Sequence, residues 1–332
     1  MKWLAVLACW MAGAVAAWAQ VAAPVTKPAR PIPAIEHVIV FGLDGLRPDR
    51  LLLADAPNLH ALMKTGSYTM WARTTALAVT LPSFTSMMTG VNPRKHSVDW
   101  DRELPFSEPV YSRTPTIFEL ARRAGYVTAM AAGKSKFSAM NKPGTITRAY
   151  LPVVPHEVTV AALEKGGTSP EAKAFAALEK VGDETVLAEA LKILEQAKPN
   201  FMFIHFPGID TAGHAKGWGS VEQLEQIAKT DAEVGRVLAA VERLGMRDST
   251  VVIVSADHGG QGLNHGPEDP RSRTIPWIVN GPKVRKNFDL TQIADLDVRT
   301  EDTCATACWL LGLALPANFD GKPVRAAFAE GE

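Results

Sequence analysis

From residue 36 onward, short apolar runs alternate with stretches in which apolar positions recur at helical spacing. HVIVFGL (37–43), YVTAMAA (126–132), NFMFIHF (200–206) and STVVIVSA (249–256) are continuous and rich in β-branched or aromatic residues, which predicts strands buried on both faces. TPTIFELARRAGY (114–126) predicts a helix with a Gly stop. DETVLAEALKILEQAKP (183–199) predicts a second, with Asp183 as its N-cap and a closing Pro. SVEQLEQIAKTDAEVGRVLAAVERLG (220–245) predicts a long amphipathic helix whose stripe runs Leu224, Ile227, Ala228, Val234, Leu238, Val241. Asp231 falls on that stripe, so its carboxylate needs a partner, and a hydrogen bond to a neighbouring loop is expected. Strands alternating with helices predict an α/β fold with a mostly parallel central sheet and helices on both faces, a three-layer arrangement.

The beginning of the chain follows a different pattern. MKWLAVLACWMAGAVAAWAQ has one Lys, then an apolar stretch, then Ala17-Trp18-Ala19. That is the order of a cleavable secretory signal over residues 1–19, and it predicts an exported protein, periplasmic or secreted. Residues 20–34 hold four prolines and no periodicity, which predicts an extended tether. One domain is expected over 35–328, with no membrane span after signal cleavage.

Composition narrows the picture. The 332 residues are 47% hydrophobic and 21% charged, enough for a large core. Basic and acidic residues number 35 each, and loss of Lys2 with the signal leaves 34 and 35. This balance gives no support for nucleic acid as a partner. The cysteines left after signal removal, Cys304 and Cys308, share a helix face and are expected as buried thiols.

In open α/β sheets ligands bind beyond the carboxyl ends of the strands. Three predicted strands here end in residues that bind metals: Asp44 after HVIVFGL, Asp210 and His214 after NFMFIHF, and Asp257 and His258 after VVIVSA. His265 follows in a loop with three glycines. Carboxylate with imidazole suits zinc. Three Asp and three His are too many for one tetrahedral ion and fit two divalent metals about 4 Å apart, a spacing that clamps attacking and leaving oxygens. In TTALAVTLPSFTSMMTG (74–90), Thr80 stands at or beside a helix start marked by Pro82. Such a start offers free N–H groups to an anion.

The ordered stretches VFGLDGLRPD, TLPSFTSMMTGVNPRKHSV, FPGIDTAGH, SADHGG, NHGPEDPRSRTIPWIVNGP and DTCATACWLLGLALPANFDGKPV resemble the alkaline phosphatase superfamily, in its type I phosphodiesterase/nucleotide pyrophosphatase-like branch. The resemblance implies that Asp210, His214 and His265 hold one zinc. It implies that Asp44, Asp257 and His258 hold the other, with Thr80 coordinated there as nucleophile. A covalent phosphothreonine would form and be resolved by water. His265 follows His258 by only seven residues, as in shorter bacterial members. His96 and His205 are expected to be structural.

The resemblance leaves the substrate, a small phosphate ester, undetermined. Asp101 stands where many relatives carry an Asn that donates to the phosphoryl group, and Leu81 and His205 stand where nucleotide pyrophosphatases stack a base on aromatics. Lys134 and Lys136 in AMAAGKSKF are candidate contacts to a doubly charged monoester. The resemblance implies a phosphodiesterase, with a phosphomonoesterase on the same site, or an inactive metal-binding protein on the same fold, as alternatives. Formylglycine-type sulfatase chemistry is not expected, because the nucleophile position is Thr80 rather than Cys or Ser.

Overall fold

The computed structural model describes residues 27–329. The signal-like segment and the first residues of the tether lie outside that range. Eight strands form one sheet: β1 (His37–Leu43), β2 (Ser67–Arg73), β3 (Thr128–Ala132), β4 (Arg148–Tyr150), β5 (Phe201–Phe206), β6 (Thr250–Ser255), β7 (Thr274–Asn280) and β8 (Phe288–Asp289). Their order is β4-β3-β5-β1-β6-β7-β2-β8. All neighbours are parallel except β7, which runs antiparallel to both β6 and β2. The α/β reading holds, with a mixed, mostly parallel sheet.

The four apolar runs in the sequence are the four central strands, β3, β5, β1 and β6. Every residue of each is buried, as expected where helices cover both faces. The helices fall into two sets that pack among themselves. Thr80–Thr89, Ile117–Arg123 and Thr300–Leu310 form one layer. Pro57–Thr65, Asp183–Ala197, Gly208–Lys216 and Val221–Arg243 form the other. The helix Thr80–Thr89 approaches the sheet closely because β1 carries Gly42. A Cβ there would lie 2.4 Å from the Phe84 ring.

Two local expectations resolve differently. Asp183 is not the N-cap of its helix; Gly182 is. Asp183 is instead buried, accepting from Gly208 N at 2.8 Å and Thr230 Oγ1 at 2.6 Å. It thereby ties the start of Gly208–Lys216 to the long helix. Asp231 does bond across to a neighbour, and its partner is a helix start. It accepts from Asn58 N (3.1 Å), Asn58 Nδ2 (2.8 Å) and Leu59 N (2.7 Å). Pro57–Thr65 has no side-chain cap of its own at Ala56, so Asp231 satisfies its free N–H groups. Cys304 and Cys308 are buried free thiols.

Asp231→Ala removes a carboxylate that holds these donors and leaves them buried without a partner. The expected cost is about 3 kcal/mol, measured by urea denaturation. A loss below about 0.5 kcal/mol would show that water replaces the cap.

Candidate active site

The order β3-β5-β1-β6 sets four parallel carboxyl ends side by side, with neighbouring strands about 5 Å apart. Each end delivers functional groups to the same place. β1 runs directly into Asp44. β5 leads through Pro207 into the helix Gly208–Lys216, where Asp210 and His214 stand four apart and face the same way. β6 leads through Ala256 into Asp257 and His258. β3 leads through Gly133 into Lys134.

Two ligand clusters result. Asp44, Asp257 and His258 lie together, and so do Asp210, His214 and His265; within each, the ligand atoms are all within 4.8 Å of one another. The clusters adjoin. The His258 and His265 rings stack at 3.6 Å between centroids, and His258 Nε2 is 4.0 Å from Asp210 Oδ1. The short return from His258 to His265 closes on itself through Gln261 N to Asn264 O (2.8 Å) and Asn264 N to Gln261 O (3.1 Å).

The imidazoles are held in one tautomer. His214 Nδ1 faces Leu263 O at 2.8 Å, His265 Nδ1 faces Ala78 O at 2.9 Å, and His258 Nδ1 faces Gly259 O at 2.8 Å. A carbonyl only accepts, so each Nδ1 carries the proton and each Nε2 offers a lone pair to the cluster. The carboxylates show the complementary feature. Asp44 Oδ1, Asp210 Oδ1 and Asp257 Oδ2 are buried and lack a hydrogen-bond partner, while the other oxygen of each is bonded. Buried unpaired carboxylate oxygens are costly, and three of them beside three imidazole lone pairs suit metal ions. The residues fit two divalent cations.

Charge explains the remaining contacts. Lys134 Nζ sits 2.7 Å from Asp44 Oδ2 and 2.8 Å from Asp210 Oδ2, joining the two clusters. Burial would push its pKa down, but Asp210 and Asp44 outweigh this and hold the ammonium well above its usual value. Burial pushes Asp44 up, and Lys134 more than reverses it, helped by a hydrogen bond from His205, so that carboxyl lies well below the usual range. Asp210 is likewise raised by burial and brought well below by Lys134. Asp257 is pushed well up by burial and the nearby Asp44 charge, which outweigh the pull of Lys134. His258 is pushed down to about 4 by burial and His265. One ammonium thus serves three carboxylates, and the site has room for further positive charge.

Thr80 is the first residue of its helix, with Val79 as the N-cap. Its Oγ1 is 3.4 Å from His258 Nε2 and 3.5 Å from Lys134 Nζ. The helix start does not offer the open anion site that the sequence suggested. Pro82 has no N–H, and Leu81 N donates to Asp101 Oδ1 at 2.8 Å. Asp101 in turn pairs with Lys136 Nζ at 2.8 Å. Asp101 therefore faces the helix rather than a phosphate. Neither lysine is free for the monoester contact suggested by AMAAGKSKF: Lys134 is buried between two carboxylates, and Lys136 is engaged by a third.

Three further residues support the site, and sequence reasoning gave them no such role. His205, on β5, directs Nε2 to Asp44 Oδ2 at 2.8 Å and accepts from Gly133 N at 3.3 Å. It orients a ligand carboxylate, and its place inside an apolar strand gave only a structural expectation. Trp218 lies against His214 and His265 with centroids 5.0 and 5.8 Å away, and donates Nε1–H to Gly45 O at 2.9 Å. Gly45 has φ +74°, and a Cβ would meet Asp210 Cα at 2.9 Å. That conformation lets Gly45 N reach Asp257 Oδ1 at 3.1 Å. His96 is buried, bonding Ser86 Oγ at 3.0 Å and accepting from Val98 N at 3.1 Å, away from both clusters.

Fold and site together define an α/β enzyme scaffold of the phosphoester-acting, alkaline phosphatase superfamily kind. The sequence profile of the type I phosphodiesterase / nucleotide pyrophosphatase family matches residues 38–269, and the chain belongs to that family. GPI ethanolamine phosphate transferase 1 of Candida glabrata is 29% identical over 147 residues, covering 40% of this chain. The match spans only 16% of that transferase. Among solved structures, murine ectonucleotide pyrophosphatase / phosphodiesterase 5, in an inactive threonine-to-alanine form with AMP, superimposes with TM-score 0.66 at 14% identity. That match covers 89% of this chain and 100% of the other. The phosphonate monoester hydrolase of Agrobacterium radiobacter gives 0.62 at 17%, covering 90% and 78%. These likenesses show the fold.

His265→Ala removes one ligand from the Asp210 cluster alone. Metal content measured by elemental analysis is expected to fall from about two ions per chain to about one. Retention of both ions would place the sixth ligand elsewhere.

Proposed function

We propose that this chain is an exported phosphoester hydrolase of the phosphodiesterase type, with Thr80 as nucleophile and two divalent metals, zinc by the chemistry of the donors. The observation that carries this reading is the set of three unpaired buried carboxylate oxygens facing three imidazole Nε2 atoms, with the Thr80 hydroxyl beside them. Asp210, His214 and His265 would hold one ion; Asp44, Asp257 and His258 would hold the other. Bound there, the ions would polarise the phosphoryl group and stabilise oxyanion charge.

The chain's own residues supply the rest. Thr80 gives up its hydroxyl proton to solvent, and Oγ1 attacks phosphorus in line. The P–Oγ1 bond forms as the bond to the leaving alkoxide breaks, giving a covalent phosphothreonine. Lys134, fixed by two carboxylates, places positive charge 3.5 Å from Oγ1 and favours its alkoxide. Water then attacks phosphorus and releases Thr80. His205 and Trp218 keep ligand side chains from rotating away, which limits the reorganisation each turnover needs. Export rests on the pattern of residues 1–19.

The monoesterase alternative relied on two free lysines. Both are engaged by carboxylates, so a diester with one negative charge suits the site better. A transferase reading, in which an alcohol takes the phosphoryl group from Thr80 in place of water, is supported by the match to GPI ethanolamine phosphate transferase.

Zinc-loaded protein is expected to hydrolyse bis(4-nitrophenyl) phosphate faster than 4-nitrophenyl phosphate. Thr80→Ala should lower kcat by at least about 10³-fold with metal content retained. Full activity in Thr80→Ala, or no cleavage of either ester by metal-replete protein, would overturn the proposal. Added glycerol distinguishes the two fates: glycerol phosphoester as the main product indicates a transferase.

A further inference from the structure

Asp44 and Asp257 follow β1 and β6 within two residues, so the sheet itself fixes them. Asp210 and His214 stand on the helix Gly208–Lys216, which follows β5 through Pro207, and their place depends on how that helix is held. Pro207, its N-cap, makes no side-chain cap bond. The free N–H groups of the helix start therefore need an acceptor from elsewhere in the chain.

Asp183 is that acceptor, 25 residues away in sequence. Its Oδ1 accepts from Gly208 N at 2.8 Å, and its Oδ2 accepts from Thr230 Oγ1 at 2.6 Å and Gln226 Nε2 at 3.2 Å. Gln223 adds a bond from Nε2 to Ile209 O at 3.3 Å. Gln223, Gln226 and Thr230 share one face of the long helix Val221–Arg243, so this helix grips the start of Gly208–Lys216 through Asp183. The fit is close. A Cβ on Gly208 would lie 2.5 Å from Asp183 Oδ2 and 2.4 Å from Gln226 Nε2, so a side chain there would displace both groups.

The gripped segment is also the one under repulsion. Asp210 lies in the first turn and shares Lys134 with Asp44, so two like charges face each other across one ammonium. A helix start free to tilt would let Asp210 withdraw, and His214 on the next turn with it. We propose, resting on the two-metal reading above, that Asp183 is a positioning residue for the Asp210, His214 and His265 site. It sets the affinity of that site for its ion and leaves the Asp44, Asp257 and His258 site unaffected.

Protein stripped of metal and titrated with zinc against a chromophoric chelator reads the two affinities, and thermal unfolding reads the fold. Wild type is expected to bind two ions. In Asp183→Ala one ion should bind about 10- to 100-fold more weakly, the effect typical of groups that orient metal ligands, with the other unchanged. Asp183→Asn keeps an oxygen for Gly208 N and should return that affinity to within about threefold of wild type. Thr230→Val removes one donor at similar shape and should weaken the same ion about threefold, which tests the proposal even where Asp183→Ala does not fold. His265→Ala identifies the ion: adding Asp183→Ala to it should leave the remaining ion as tight as in His265→Ala alone. Folded variants with both affinities unchanged, or with both weakened alike, would overturn the proposal, because a cap that only supports the fold acts on neither site or on both. Wild type that binds fewer than two ions would instead overturn the two-metal reading itself.

Discussion

Three carboxylates buried within a few ångströms of one another constrain everything else in this molecule. Asp44 and Asp257 are completely buried and Asp210 nearly so. Carboxylates in such a place repel one another and lose their hydration, so they exist there only with compensating charge. Among the described residues one ammonium, that of Lys134, sits on the outer oxygens of two of them. The inner oxygens remain for metal ions. Oriented imidazoles, the aromatic support of Trp218 and the His205 bond to Asp44 all serve that arrangement.

The sheet makes this possible cheaply in sequence terms. Parallel strands deliver their carboxyl ends to one edge, so residues placed shortly after each of β3, β5, β1 and β6 converge without any long loop. Only His265 needs a return, and a seven-residue loop closed by Gln261 and Asn264 provides it. The stability of the central strands, buried on both faces, gives the site a rigid base.

The central strands, the long helices and the residues that now form the two clusters were legible, because buried parallel strands are continuous apolar runs and a charged residue at their end stands out. The outer strands were not. β2 turns Ser67 and Thr69 inward, β7 contains Pro276, and β4 and β8 are two or three residues long, so none shows a clear period. The lysines misled for a different reason. Two lysines after a strand look available to a substrate, and only the spatial neighbours Asp44, Asp210 and Asp101 show why they are held. Asp101 was read at the place of a phosphate contact, and its actual role depends on Pro82 leaving Leu81 N as the donor it can reach. Neither the strand pattern nor the motifs pointed to the supporting roles of His205 and Trp218, since their value lies in what they touch.

The central claim is that Thr80 carries the phosphoryl group. Metal-loaded protein mixed with bis(4-nitrophenyl) phosphate, quenched in acid during turnover and digested, tests it by mass spectrometry. A 4-nitrophenyl phosphate adduct on the peptide containing Thr80, absent in Thr80→Ala, is the expected result. Turnover with no adduct on this peptide, or an adduct on another residue, would contradict the account.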